Sequence, residues 1–496
     1  MNSKPRLLVL YQNKQFSGPI EYTFRLLLSI IGLKGVICLI GSVNDQKIDP
    51  DQLIISYSDQ IIDVGSHKHV HIFASTLFGN NYLSSSSLPE APLMNINNIP
   101  IIYRGKSRVP GGVAHKKQTI LTDADIIAST FYMVTCYEEV IKPALYDKHG
   151  RFEVTESLSY REGFLKRPIV HEYAELLRSW ITTVDHDFDI YRPWKGRDFA
   201  VCITHDIDSL RRYSYPPIVT VSRAIRSGNY RRALGIIREY GRVMTGRQSE
   251  PYNTFNYLLD KELEHGFIPT YYFMAGRYGL KGHRSQDYRL IDDNVQEILH
   301  TLKSAGCEIG LHSSYDAFEH PDLLEKEKNE LEQALGHSIS GLRQHYMRFK
   351  APESWQKWQE AGFEYDTTVS FAREEGFRTG ICIPYHPFDV LQNRELTLWE
   401  VPLTVMEGTL FEYQRLGGAE VGKRLEQLVN IVANVRGLFV LLWHNSFFDE
   451  LVYPGVHMVY EQLIASLAAR RPLGISVLQA IQQWSTYEIR NEHSSW

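Results

Sequence analysis

The chain has 496 residues, 43% hydrophobic and 22% charged, with 53 basic against 58 acidic side chains and a formal charge of −5. That composition excludes a disordered, collagen-like or coiled-coil chain, and at roughly 150 residues per domain the length suggests two or three domains. The near-neutral balance argues against a nucleic-acid partner, which leaves a strongly basic footprint.

Met1 to Leu10 carry only the short apolar run Leu7 to Leu10, which does not read as a secretory signal. Leu26 to Leu33 is far short of a membrane span. The five cysteines, Cys38, Cys136, Cys202, Cys307 and Cys382, are isolated and odd in number, which fits a reducing compartment better than a disulfide framework. A soluble, cytoplasmic protein is expected.

In chain order, Arg6 to Tyr11, Ile20 to Leu33, Val36 to Ile40 and Gln52 to Ser56 read as the start of a compact α/β domain. A helix is predicted over Asp123 to Glu139, with Ile126, Ile127, Phe131 and Val134 at mostly helical spacing, and another over Glu172 to Ile181. The Asp- and Pro-bearing stretch from Thr182 to Pro193 marks a junction. The division is a smaller N-terminal α/β domain over 1–185, a linker over 186–197 and a third part over 198–490. Asp185-His186-Asp187-Phe188-Asp189 mimics a metal cluster but has no strand to position it, and reads as solvated linker.

Beyond Asp198, strands are predicted over Phe199 to Ile203, Thr270 to Phe273, Glu308 to Leu311, Gly341 to Gln344, Glu364 to Val369, Leu398 to Leu403, Leu438 to Trp443 and Gly474 to Leu478. Helix-length segments separate them, such as Glu420 to Val435, where Val421, Leu425, Leu428, Val432 and Val435 share a stripe. About 300 residues of repeated βα units suggest a (β/α) barrel, complete or distorted, with its chemistry at the strand C-termini.

Four of these strands run into polar groups. Thr204-His205-Asp206-Ile207-Asp208 follows the first, His312-Ser313-Ser314-Tyr315-Asp316 the third, His345-Tyr346 the fourth and His444-Asn445 the seventh. In extended backbone side chains alternate, so Asp206 and Asp208 share one side and His205 and Ile207 the other. Two neighbouring carboxylates ionise together only beside a cation, a shared proton or a basic partner. One Asp and two His form the mixed oxygen and nitrogen shell that suits a divalent metal, zinc first, with a position left for water.

These residues carry a likeness to a known family. The chain resembles the polysaccharide deacetylases of the NodB-homology, carbohydrate esterase family 4 type, a bacterial group here with an uncharacterised upstream domain. The matching motifs are Thr204-His205-Asp206-Ile207-Asp208, His312-Ser313-Ser314, Arg343-Gln344-His345-Tyr346 and Leu442-Trp443-His444, in order, with Ile126 to Glu139 and Asp147 to Phe152 resembling the upstream domain. The metal-binding carboxylate is displaced by one position, the usual second histidine is Asp316, and His345 stands where proline is expected.

The resemblance implies a distorted (β/α) barrel and a metal-dependent hydrolase that removes N-acetyl groups from an N-acetylated sugar or polysaccharide. It implies Asp206 as general base, His444 as general acid, and Asp208, His312 and His345 as metal ligands, with Asp316 as the substitute if His345 does not serve. Arg343 is expected to pair with Asp206, and Asp366 is a further orienting candidate. Gly376 to Gly380 and the run Tyr385-His386-Pro387-Phe388 resemble loops bordering the family's cleft, and Trp443 and Tyr346 could add to that surface, with ordinary packing the more common role for each aromatic. The alternatives are a hydrolase of a small cyclic amide or ureide, and a catalytically weak binder of glycans or lipid headgroups.

Two other segments carry charge patterns of their own. Residues 211 to 247 hold nine arginines against Glu239 alone, with interleaved Ile225, Leu234, Ile236 and Ile237. They read as a solvated helical insertion or as a basic amphipathic helix in peripheral contact with an anionic membrane. Gly417 to Arg424 nearly spells a P-loop, but Arg424 stands where the magnesium-binding hydroxyl is needed, so phosphate binding is not expected.

Overall fold

The computed structural model describes residues 7–33, 36–39, 51–142, 145–185, 193–214, 216–275 and 286–493. Most of the acidic junction, residues 186 to 192, lies outside the described residues.

The first sheet contains β1 (Leu7–Tyr11), β2 (Val36–Leu39), β3 (Leu53–Ser58) and β4 (His69–Phe73). After the small hairpin of β5 (Met94–Ile96) and β6 (Ile99–Ile101) come β7 (Val113–Lys116) and β8 (Thr119–Thr122). The sheet order is β2-β1-β3-β4-β8-β7, parallel except for the β7–β8 hairpin. Strand residues alternate between two apolar clusters, Leu53, Ile55 and Tyr57 in one and Leu8, Leu10 and Ile54 in the other.

The predicted helix over Asp123 to Glu139 is two helices, Ile126–Val134 and Tyr137–Ile141. Asp125 accepts the Ala128 N–H at 2.9 Å and so starts the first of them three residues late. Cys136, at φ 51°, interrupts the run in the left-handed region.

The second sheet contains β9 (Ala200–Ile207), β10 (Thr270–Phe273), β11 (Glu308–Ser313), β12 (Gly341–Gln344) and β13 (Tyr365–Asp366). Past the two-stranded β14 (Phe388–Asp389) and β15 (Arg394–Glu395) it takes in β16 (Trp399–Glu400), β17 (Val405–Met406), β18 (Leu438–Leu442) and β19 (Leu473–Gly474). The order is β16-β13-β12-β11-β10-β9-β18-β17, with β19 beside the start of β9 and every pairing parallel. β16 and β17 do not close on one another, so the sheet is an open, curled half-barrel rather than a complete one.

All eight residues of β9 are buried, as a central parallel strand covered on both faces requires. This strand runs four residues beyond the predicted Ile203, because Thr204 to Ile207 pair in register with Thr270 to Phe273. Asp206 therefore stands on the strand itself. The predicted strand at Gly474 to Leu478 is cut to Leu473–Gly474, since Val477 already begins the helix Val477–His493. The near-P-loop is the start of the helix Gly418–Asn434, with Arg424 paired to Glu375.

One hydrophobic cluster spans both sheets, from Leu7, Tyr57 and Phe131 through Trp180 to Tyr272, Val401, Val440 and Trp484. Trp194 packs against Trp484 and donates its indole N–H to the Arg436 carbonyl at 2.7 Å. The upstream part thus shares a core with the half-barrel. No helix among the described residues is long and apolar enough to cross a membrane.

Candidate metal centre

The site lies where the strands of the half-barrel end. Parallel register places His312 of β11 opposite Arg343 of β12, while Asp208 and His345 follow directly on β9 and β12 and His444 is the second residue past β18. Among the described residues, one group of at least three potential ligands converges within 4.8 Å: Asp208, His312 and His345.

The donor chemistry of this group fits a cation. The Arg343 carbonyl, which can only accept, lies 2.9 Å from His312 Nδ1 and fixes the proton there. The His312 Nε2 lone pair then faces Asp208 Oδ1 at 3.1 Å and His345 Nδ1 at 2.9 Å. Asp208 Oδ1 also lies 3.4 Å from His345 Nδ1, and is buried without a hydrogen-bond partner. With its proton on Nδ1, His312 meets Asp208 with two acceptor atoms face to face, and a shared positive charge, a cation or a proton on either ring, relieves them. The electrostatics agree: burial opposes charging of His312, but Asp206 and Asp208 outweigh it and raise its pKa. Burial likewise opposes ionisation of Asp208, and His345 and His312 hold its carboxyl well below the usual range.

Two pairs flank the group. Fully buried Arg343 donates to Asp206 Oδ1 at 3.0 Å and to Thr204 Oγ1 at 2.8 Å, with Thr367 completing its shell. Asp206 Oδ2 lies 3.6 Å from His312 Nδ1. On the other side His444 donates from Nδ1 to Glu407 Oε1 at 2.6 Å, and its Nε2 points toward Asp208 Oδ2 at 3.8 Å. Burial opposes the charge on His444, but Glu407, then Asp208 and Asp206, push it up to about 10. His205 points the other way, into the core, with its ring nitrogens against the Trp443 carbonyl and Glu262.

Several expectations are corrected. Asp316 is not in the converging group: His312 still stands on a strand that runs to Ser313, so the position four residues on belongs to a separate turn, Asp316–Phe318. Arg378 is buried in a two-pronged pair with Glu139 at 2.8 and 2.6 Å, so the 376–380 segment joins the upstream part, and Arg378 lines a small pocket there with Asp147, Arg151 and Phe371. Tyr385, Phe388 and Trp443 are buried core residues, which leaves Tyr346 as the exposed aromatic of that set. The orienting candidate Asp366 is fully buried and accepts from Thr368, within reach of the Arg343 charge, and burial raises its pKa to about 6.

Sequence reading missed two contributors. Glu407 is a lone acid just after the two-residue β17, with no spacing to mark it. The other is an upstream turn, closed by the Tyr146–Phe152 bridge and an Asp147–Arg151 ion pair at 2.7 Å. Arg151 Nη1 donates to the Tyr346 carbonyl at 3.2 Å, the His149 and Tyr346 rings lie 5.0 Å apart, and Arg348 donates to the His149 carbonyl at 2.6 Å. Tyr346 and Met347 have φ of 61° and 54°, a strained pair immediately after His345 that these contacts hold in place. Arg151→Ala, which frees the backbone directly after His345, is expected to weaken divalent-metal binding by up to about ten-fold with the fold retained, no more than loss of a ligand's own hydrogen-bond partner costs. Competition against a chromophoric chelator measures this, and an affinity equal to wild type would remove the role of the turn.

Residues 8–186 match the profile of a family of unknown function, DUF7033. No curated protein matches the chain. Among solved structures, a protein described as a polysaccharide deacetylase from Mycobacterium smegmatis is similar over 61% of this chain and 96% of its own, at 19% identity and TM-score 0.39. Agd3, a carbohydrate deacetylase, is similar over 98% of this chain and 87% of its own, at 8% identity and TM-score 0.35. BA3943, a CE4 family pseudoenzyme from Bacillus anthracis, is similar over 60% and 71%, at 11% identity and TM-score 0.30.

Proposed function

We propose that the chain is a metal-dependent hydrolase that removes N-acetyl groups from an N-acetylated sugar or polysaccharide, with zinc as the first candidate ion. The observation that carries this reading is the convergence of Asp208, His312 and His345, flanked by the Asp206–Arg343 and His444–Glu407 pairs. Asp208, His312 and His345 would hold the ion, which supplies a water of lowered pKa and polarises the amide carbonyl.

Asp206 then accepts the proton of the attacking water. Arg343 fixes one carboxylate oxygen and leaves Oδ2 toward the site. His444, oriented by Glu407, presents a proton from Nε2 on the opposite flank, where an amine must leave. An amide nitrogen departs only when protonated, so the reaction needs both a base and an acid, the roles this reading gives Asp206 and His444. Half-exposed Tyr346 offers a ring face to a sugar.

Acetate release from N-acetylglucosamine oligomers by metal-loaded protein tests the proposal. A stoichiometric divalent ion with turnover of such oligomers is expected. A metal-loaded protein that releases no acetate from them, yet opens a cyclic ureide, would replace this substrate class. Protein that takes up no divalent ion would favour a binding role.

A further inference from the structure

The basic segment set apart in the sequence is a helical hairpin, Ile218–Arg226 and Tyr230–Met244. A surface helix ordinarily turns its apolar stripe inward. This hairpin has two apolar faces. One, with Ala224, Ala233 and Ile236, is buried against the body. The other is open: Ile218, Val219, Ile225, Tyr230, Leu234, Ile237 and Met244 are each 45% to 72% exposed.

On the second helix Tyr230, Leu234, Ile237 and Met244 fall at i, i+4, i+7 and i+14, a single outward stripe. Arg231, Arg238 and Arg242 form the stripe beside it. Between residues 218 and 247 there are seven arginines against one acid, Glu239. That acid is used internally, accepting from Arg212 and from the Tyr213 hydroxyl. None of the seven arginines has an ion-pair partner among the described residues.

An open apolar stripe edged by unpaired arginines matches a surface that is apolar beneath and anionic at its headgroups. A second copy of the chain would bring two arginine stripes together, so like charge disfavours self-association there. A phosphate polymer would match the arginines but leave the isoleucines and leucines without a partner. We propose that the hairpin docks the protein on an anionic lipid bilayer.

Its position gives this a consequence. The hairpin follows Asp208 in the chain, and Arg212 ties it to Asp449 at 2.8 Å, five residues past His444. The docking surface therefore borders the edge of the half-barrel that carries the candidate centre, and the substrate is presented at the bilayer. The docking itself does not depend on the hydrolase reading.

Flotation of the full chain with vesicles tests it. Vesicles of phosphatidylcholine alone are expected to leave the protein free, and vesicles one third phosphatidylglycerol are expected to bind it. Arg231→Glu with Arg238→Glu is expected to weaken that binding more than about ten-fold, from roughly one kcal/mol per charge near the surface. Leu234→Asp with Ile237→Asp is expected to do the same, with melting temperature unchanged because all four side chains are exposed. Absence of binding to both vesicle types, or binding that survives both pairs of substitutions, would overturn the proposal. So would a dimer by sedimentation velocity that Leu234→Asp with Ile237→Asp dissolves.

Discussion

Asp206→Asn is expected to lower turnover by a factor of about 10²–10⁴ while the metal stays bound, the contribution general-base catalysis ordinarily makes. The amide has the shape of the carboxylate but takes no proton from water. The converging group of Asp208, His312 and His345 does not include Asp206, so metal stoichiometry by elemental analysis should equal that of wild type. The same substitution has a second cost. Arg343 is fully buried, and its other acceptors are neutral, Thr204 Oγ1, the Thr367 carbonyl and Thr367 Oγ1. Removing the carboxylate that is hydrogen-bonded to it leaves this buried cation with Asp366 as a more distant countercharge, a loss of up to about 3–5 kcal/mol. Chemical denaturation of the metal-loaded variant should show that loss together with the fall in acetate release. Turnover within a factor of two of wild type would exclude Asp206 as the base.

The parts of this site that were legible in the sequence are those where a strand's apolar run breaks into an acid or an imidazole. Period-two alternation separates Asp206 from His205 without knowledge of the fold, and the structure sends one to Arg343 and the other to Glu262. Strand ends are marked because a central parallel strand is apolar along its length, so its first polar residue stands out. Glu407 had no such frame: β17 is two residues long, and its relation to His444 is set by the pairing of β17 with β18. Asp316, offered by the motif comparison only as a substitute for His345, falls in the turn after β11, because the chain past His312 is strand and then turn. Aromatic composition does not tell a cleft from a core, and for Tyr385, Phe388 and Trp443 the structure bears out packing. What buries Tyr385 and Phe388 comes from the upstream part: Tyr385 donates to the Val134 carbonyl at 3.0 Å, and Phe388 packs on Tyr22. Such contacts span hundreds of residues and leave no local pattern.

His312→Ala is expected to abolish stoichiometric metal binding. Its Nδ1 proton is pinned by the Arg343 carbonyl, so Nε2 is presented as a lone pair at no further orientational cost. Without it the centre keeps Asp208 and His345 alone, fewer than the three protein ligands that a catalytic zinc site keeps. Loss of an outer partner of a ligand can itself cost roughly 100-fold in affinity, and loss of the ligand should exceed that. After dialysis against a chelator, wild type should retain its ion and the variant should not. Asp316→Ala should behave as wild type, because Asp316 lies outside the converging group. The pair of variants separates two geometries that the spacing of the residues left open. Retention of the ion in His312→Ala with loss in Asp316→Ala would move the centre to the turn after β11 and take Asp206 and His444 away from the chemistry.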